Sequence, residues 1–469
     1  MVEGGQGAIV GLGPVHEDYF KESHPLAHKC TSLVHKGDNL DRYLLGRQFM
    51  VILIVFTTEM AGAPLAGAEL WGLPTWLTNM MLATGIAMIL FTCMVGQLNS
   101  EINGCHCMLD YINTWFAVFT VWVAMAIEFS GVLHICYIIQ KVVAQLAGQP
   151  IESKEPPKSF VQHLFFYGRA IMSLAILCFS FAVTMTALFN GQTTMWEFMP
   201  PVASVVLFFV LLFVIGLLEG SQIAYFAVVK MRDCERGEGF FAKKSCEILF
   251  VNDNRNLGRF IIGRQLLVVS CMFIIARITS VKLKDDEPNL FGVSDSTQGL
   301  FSTGLLGAHI VAVIGSVTWR LLSSAFPLAF LASPLTYILL RVALFLEWTG
   351  VLHGAFVLAF IHKKIAGFQR DEVYIGTAEE RAAQSKRDRS SIAAPKAGHI
   401  VPIVETGENP FEGPTTVEEI EDLEEELKER LEALKVQKKR LLEAEQNREA
   451  AKRKQNSDLT ELDEPDVDC

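Results

Sequence analysis

The residues best placed to do chemistry are two pairs of short polar signatures set against apolar sequence. Glu219-Gly220-Ser221-Gln222 lies inside an apolar run. Glu3-Gly4-Gly5-Gln6 stands at the start of the chain, and Gly46-Arg47-Gln48 reappears as Gly263-Arg264-Gln265. An ionisable group at membrane depth is costly, so Glu219 should face a cavity or a partner. Within the Glu-Gly-x-Gln motif the glycine thins the helix wall, the glutamine offers a donor and an acceptor, and the carboxylate can hold a cation or a proton. These groups suit a small polyhydroxylated solute and a coupling ion; an interhelical hydrogen bond or ion pair is the alternative for Glu219. Each Gly-Arg-Gln opens an apolar run, where the arginine would commonly snorkel to the interface.

Other candidates carry weaker signals. Glu128 and Glu347 also sit in apolar runs, with His134 and His353 six residues later. On a continuous helix six residues do not share a face, so a metal site within one helix is not expected, and interhelical hydrogen bonding is the default for both histidines. Cys105-His106-Cys107 with Asp110 has the donor types of a zinc site, but the spacing is too tight for one tetrahedral ion and no second ligand pair follows. No metal and no cofactor is expected. The chain has no Walker motif, nucleophile elbow or His-Glu-x-x-His, so it is not read as an enzyme.

The elements that must position these residues are apolar runs at about 49–68, 76–98, 111–147, 164–189, 201–230, 260–281, 299–321 and 326–362. A membrane-crossing helix needs roughly 20 residues, so the runs at 111–147 and 326–362 are each either one overlong tilted helix or a hairpin of two short spans. With 51% hydrophobic and 19% charged residues in 469, and charges excluded from long stretches, the chain reads as an all-α polytopic membrane bundle with the lipid bilayer as its partner. The scattered cysteines predict no disulfide framework, and the lack of a basic stripe with interleaved aromatics argues against nucleic acid.

The two halves repeat. At an offset of 217, residues 39–48 fall on 256–265 with six identities and three conservative changes, and at 219 Glu128-Phe129-Ser130-Gly131-Val132-Leu133-His134 falls on Glu347-Trp348-Thr349-Gly350-Val351-Leu352-His353. The predicted organisation is an N-terminal segment 1–45, a first transmembrane repeat 46–200 and a second 201–365. A polar linker 366–414, a charged helix 415–455 and an acidic tail 456–469 complete it. Because Glu219 lies well inside a run and Glu3 has none before it, the first repeat is expected to lack its opening helix. Single helices in the overlong runs would make the repeats inverted, and hairpins would make them parallel. The densest basic cluster, residues 230–264, favours a parallel arrangement if it and the tail are both cytoplasmic. In 415–455, Ile420, Leu427, Leu434 and Leu441 recur every seven residues, a weak heptad compatible with self-pairing, a protein partner or a solvated amphipathic helix.

The paired Glu-Gly-x-Gln and Gly-Arg-Gln motifs, Cys107-Met108-Leu109-Asp110 between spans and the coiled-coil-like tail together resemble the diatom silicic acid transporters, over essentially the whole chain. The resemblance implies about ten spans, a plasma-membrane location, an intracellular C-terminus and uptake of silicic acid, coupled to sodium in marine members. It implies that Gln6, Gln48, Gln222 and Gln265, with Gly46, Gly220, Ser221 and Gly263, contact the solute, with Glu3 and Glu219 beside them for the coupling ion. A transporter of boric or arsenous acid would satisfy the same physical arguments. A membrane scaffold or sensor acting through its tail is a further alternative.

Overall fold

A computed structural model describes residues 1–374 except 63, 64, 66, 149–158, 197, 230, 232–235, 238, 284–286, 372 and 373, with only the backbone of 251–255. The linker beyond residue 374, the charged helix 415–455 and the acidic tail 456–469 lie outside the described residues, so the heptad reading is not addressed. The described residues are mostly helical, with one isolated antiparallel bridge, Thr193 to Val281, and no strand.

In chain order the first half contains α1 (Val2–Gly11), α2 (Pro25–Val34), α3 (Asn39–Ala61), α4 (Thr75–Thr78), α5 (Ile86–Phe91), α6 (Asn99–His106), α7 (Met108–Ile112), α8 (Trp115–Ser130), α9 (Ile135–Leu146) and α10 (Phe160–Phe189). The second contains α11 (Pro201–Val229), α12 (Phe240–Leu249), α13 (Val251–Thr279), α14 (Asp295–Ser302), α15 (Leu305–Ile310), α16 (Thr318–Ala325), α17 (Pro327–Ala332), α18 (Pro334–Trp348) and α19 (Gly354–Ala366). Wider π-helical turns, Thr92–Leu98 and Val311–Val317, join α5 to α6 and α15 to α16.

Among the described residues, five helices are long and apolar enough to cross a membrane, or seven spans if each of two bent pairs is one. Helix surfaces carry large apolar side chains outward, Phe119 and Trp122 on α8, Ile171 and Leu174 on α10, and Phe209 and Phe213 on α11 among these spans, with Phe345 and Trp348 on the shorter α18. Buried polar residues collect at the centre. This is the distribution that lipid imposes, because backbone hydrogen bonds close within each helix and apolar side chains can face hydrocarbon.

The overlong run 111–147 is neither a straight helix nor a hairpin: α8 and α9 meet at a 69° bend. The cause is Gly131, which caps α8 at φ +86°, a conformation that an L side chain adopts only at a cost. Gly350, 219 residues later, holds φ +76° between α18 and α19. The break also brings together residues that would not share a face of one straight helix. Turning the chain back brings His134 Nε2 to 3.7 Å from Glu128 Oε1, and His353 Nε2 to 3.7 Å from Glu347 Oε1.

Packing repeats along with geometry. α3 packs on α8 and α13 on α18, α1 on α6 and α11 on α16. A Cβ on Gly46 would overlap the carbonyl oxygen of Ala124, and one on Gly263 would overlap that of Ala343. In lipid, where helices gain little from hydrophobic burial, such backbone-to-backbone approach is a main source of association.

Candidate functional site

Four helices and two π-turns bring the signature residues to one buried centre. Arg47 and Arg264 were expected to snorkel. Instead each is essentially inaccessible (0% and 1% exposed), because α3 and α13 begin before the apolar runs and carry the arginines inward by two turns or more. A buried guanidinium must be paired, and both are. Arg47 donates from Nη2 to Glu3 Oε2 at 2.8 Å, from Nε to the Val2 carbonyl at 3.2 Å, and from Nη1 to Gln6 Oε1. Arg264 lies 3.4 Å from Glu219 Oε1 and donates from Nη2 to Gln265 Oε1 at 2.7 Å.

Arg320 on α16 joins the two sets. Its Nη2 and Nε approach Glu219 Oε2 at 2.5 and 2.7 Å, while Nη1 reaches Gln6 Oε1 at 3.4 Å. A chain of contacts therefore runs from Glu3 through Arg47, Gln6 and Arg320 to Glu219 and Arg264.

The signature glutamines point across the halves. Gln48 Nε2 donates to Ser316 Oγ at 2.9 Å, on the second half's π-turn, and Gln265 Nε2 donates to Gln97 Oε1, on the first half's π-turn. Wide turns of this kind frequently mark functional sites, since they shift the backbone register locally. Gln222 is buried with Oε1 lacking a hydrogen-bond partner, whereas the Ser221 hydroxyl is spent on the Leu217 carbonyl at 2.5 Å. A Cβ on Gly220 would meet the Phe330 ring.

The remaining sequence candidates lie apart from this network. Glu128 accepts from Tyr137 at 3.4 Å, and Glu347 lies 3.8 Å from Arg259 Nε. Asp110 accepts from the Gln369 amide at 2.6 Å and contacts His24 Nε2 at 3.1 Å, and Cys107 is a buried free thiol at the joint between α6 and α7. These contacts tie the start of the tail to the α6–α7 joint.

Sequence reasoning missed Gln97, Glu101, Ser316 and Arg320. The signal was available, because the 219-residue offset relates Gln97 to Ser316 and Glu101 to Arg320. In the second pair the charge reverses. Glu101 has Oε2 enclosed without a hydrogen-bond partner.

The lipid-facing apolar surface and buried polar centre define a helical multi-pass membrane protein. A family model described as silicon transporter matches residues 1–464, essentially the whole chain, and the chain belongs to that family. No curated protein matches it, and no solved structure does.

Proposed function

We propose that this protein carries silicic acid across the plasma membrane by alternating access between two duplicated halves, driven by sodium. The observation that carries this reading is the crossed pairing of Gln48 with Ser316 and of Gln265 with Gln97. The two glutamines of the repeated motif each bind the opposite half, so any rocking of one half against the other breaks and remakes contacts at that point. A solute held there would be sensed by both halves.

The charge count supports a neutral solute. Glu3, Glu101 and Glu219 are matched by Arg47, Arg264 and Arg320, which leaves amide and hydroxyl groups to recognise the four hydroxyls of silicic acid. Gln222 Oε1 is a buried acceptor suited to one of them. Glu219 and Glu3 are committed to guanidinium partners in this conformation, and their part in ion coupling would require those pairs to exchange.

Corresponding glycine contacts, helix breaks and π-turns at offsets of 217–219 support a duplication in which α1 to α9 correspond to α11 to α19, with α10 between them, so the repeat boundaries differ from 46–200 and 201–365. With each bent pair taken as one crossing, five crossings separate equivalent positions and the repeats are inverted. Two of the seven candidate spans, α13 and Leu305–Ala325, stand between the basic segment 230–255 and the tail; counting α18 with α19, the counterparts of α8 with α9, as a further crossing makes three and puts segment and tail on opposite sides. A cytoplasmic tail places the basic segment outside, against the usual charge bias.

In proteoliposomes with an inward sodium gradient, the wild-type chain should accumulate labelled silicic acid. Gln222→Ala and Gln265→Ala should each lose most uptake at equal protein content. Wild-type rates in both variants would overturn the site assignment. Stronger competition by boric or arsenous acid than by silicic acid would overturn the choice of solute.

A further inference from the structure

Glu59 lies in the last turn of α3, two turns or more beyond the arginine network, and belongs to none of the signature motifs. It is 5% exposed. The Thr92 hydroxyl, at the start of the first π-turn, lies against its carboxylate, yet Thr92 Oγ1 and both oxygens of Glu59 lack a hydrogen bond of normal geometry. No ion pair to Glu59 occurs among the described residues. A buried carboxylate without donors is strongly unfavourable as a bare anion. Something positively charged must complete it.

The surroundings favour a cation. Three oxygens converge, two of the carboxylate and one of a hydroxyl that can turn its lone pairs toward a cation, and hard cations take oxygen ligands. Glu59 stands at the C-terminal end of a 23-residue helix, where the last carbonyls lack intrahelical partners and the helix dipole favours positive charge. The π-turn beginning at Thr92 adds a second place where helical hydrogen bonding changes register.

The duplicated scaffold supplies an internal control. The offsets that align the halves put Ala276 opposite Glu59 and Val311 opposite Thr92. The same fold therefore packs with apolar residues here, and the carboxylate and hydroxyl are not required for packing. A half-open cavity of about 500 Å³ is lined by Thr92, Gln97 and Glu3, so the Thr92 end of the pair, though not Glu59 itself, borders the same space as residues of the solute site.

We propose that Glu59 and Thr92 form a single site for a monovalent cation, and that this cation is the one coupled to solute movement. The coupling rests on the transport reading above. Cation binding does not.

The test uses the purified full chain in detergent, without solute. Radiolabelled sodium should bind saturably and raise the thermal unfolding midpoint over choline by a few degrees. Glu59→Gln, which keeps the shape and removes the charge, should weaken binding at least tenfold and abolish the shift, and Thr92→Val should weaken binding several-fold. If wild type binds no sodium but its unfolding midpoint depends on pH in a way that Glu59→Gln removes, the cation is a proton and the site stands. Sodium binding and pH dependence in Glu59→Gln equal to wild type would overturn the proposal. Should sodium bind at Glu59 while proteoliposomes move no silicic acid, the transport reading falls and the cation site remains.

Discussion

Replacing Glu219 by glutamine tests the buried charge network most directly. Glu219 is the carboxylate shared by the buried guanidinium of Arg264 and the largely enclosed one of Arg320, and the amide would present an NH2 group to at least one of them. Removing one partner of a buried pair costs about 3–5 kcal/mol, because a charge is left uncompensated away from water. The geometry divides that cost unequally. Arg320 approaches Oε2 at 2.5 and 2.7 Å and otherwise has Gln6 at 3.4 Å, whereas Arg264 sits 3.4 Å from Oε1 and retains Gln265 at 2.7 Å. Arg320 should carry most of the loss.

Glu219→Gln is therefore expected to lower stability by about 3 kcal/mol or more, a large share of the roughly 5–15 kcal/mol typical of folded domains. Adding Arg320→Gln should recover about 2–3 kcal/mol, and adding Arg264→Gln less than about 1, within the range of coupling between contacting residues. The assay is the thermal unfolding midpoint of detergent-purified protein, with the monodisperse fraction as a second readout. A single variant within about 2 °C of wild type would refute the reasoning, since even 1 kcal/mol moves the midpoint of a domain of 150–250 residues by about 2–4 °C. Better rescue by Arg264→Gln than by Arg320→Gln would refute the assignment of partners.

Two further outcomes follow from the same contacts. Asp371 accepts from the buried amides of Met108 and Leu109 at 2.7 and 2.9 Å, so Asp371→Ala should free the segment after α19 by about 1.5–3 kcal/mol, seen as at least a tenfold rise in protease cleavage near residues 368–374; unchanged cleavage would show that Asp371 does not hold it. With inverted repeats, Glu22→Cys and Lys244→Cys, both at exposed positions, should react with a membrane-impermeant thiol reagent from opposite faces of sealed vesicles, and labelling from the same face would return the repeats to a parallel arrangement.

The sequence alone determined what local patterning controls. Long apolar runs dictated an all-helical, multi-pass body, because only helices and closed barrels satisfy the backbone in lipid. The spacing of Glu-Gly-x-Gln and Gly-Arg-Gln singled out Glu3, Gln6, Arg47, Gln48, Glu219, Gln222, Arg264 and Gln265, residues that the fold gathers at one centre. Tertiary structure alone decided the partners. That Arg47 and Arg264 are buried depended on where α3 and α13 begin. That His134 faces Glu128 depended on one glycine adopting a left-handed conformation at Gly131. Arg320 completing Glu219, Gln97 meeting Gln265, and Thr92 lying against Glu59 are contacts between segments distant in sequence, in which neither partner's local pattern encodes the other. Periodicity reports which face of an element is apolar; it carries no information about which polar group waits across the interface.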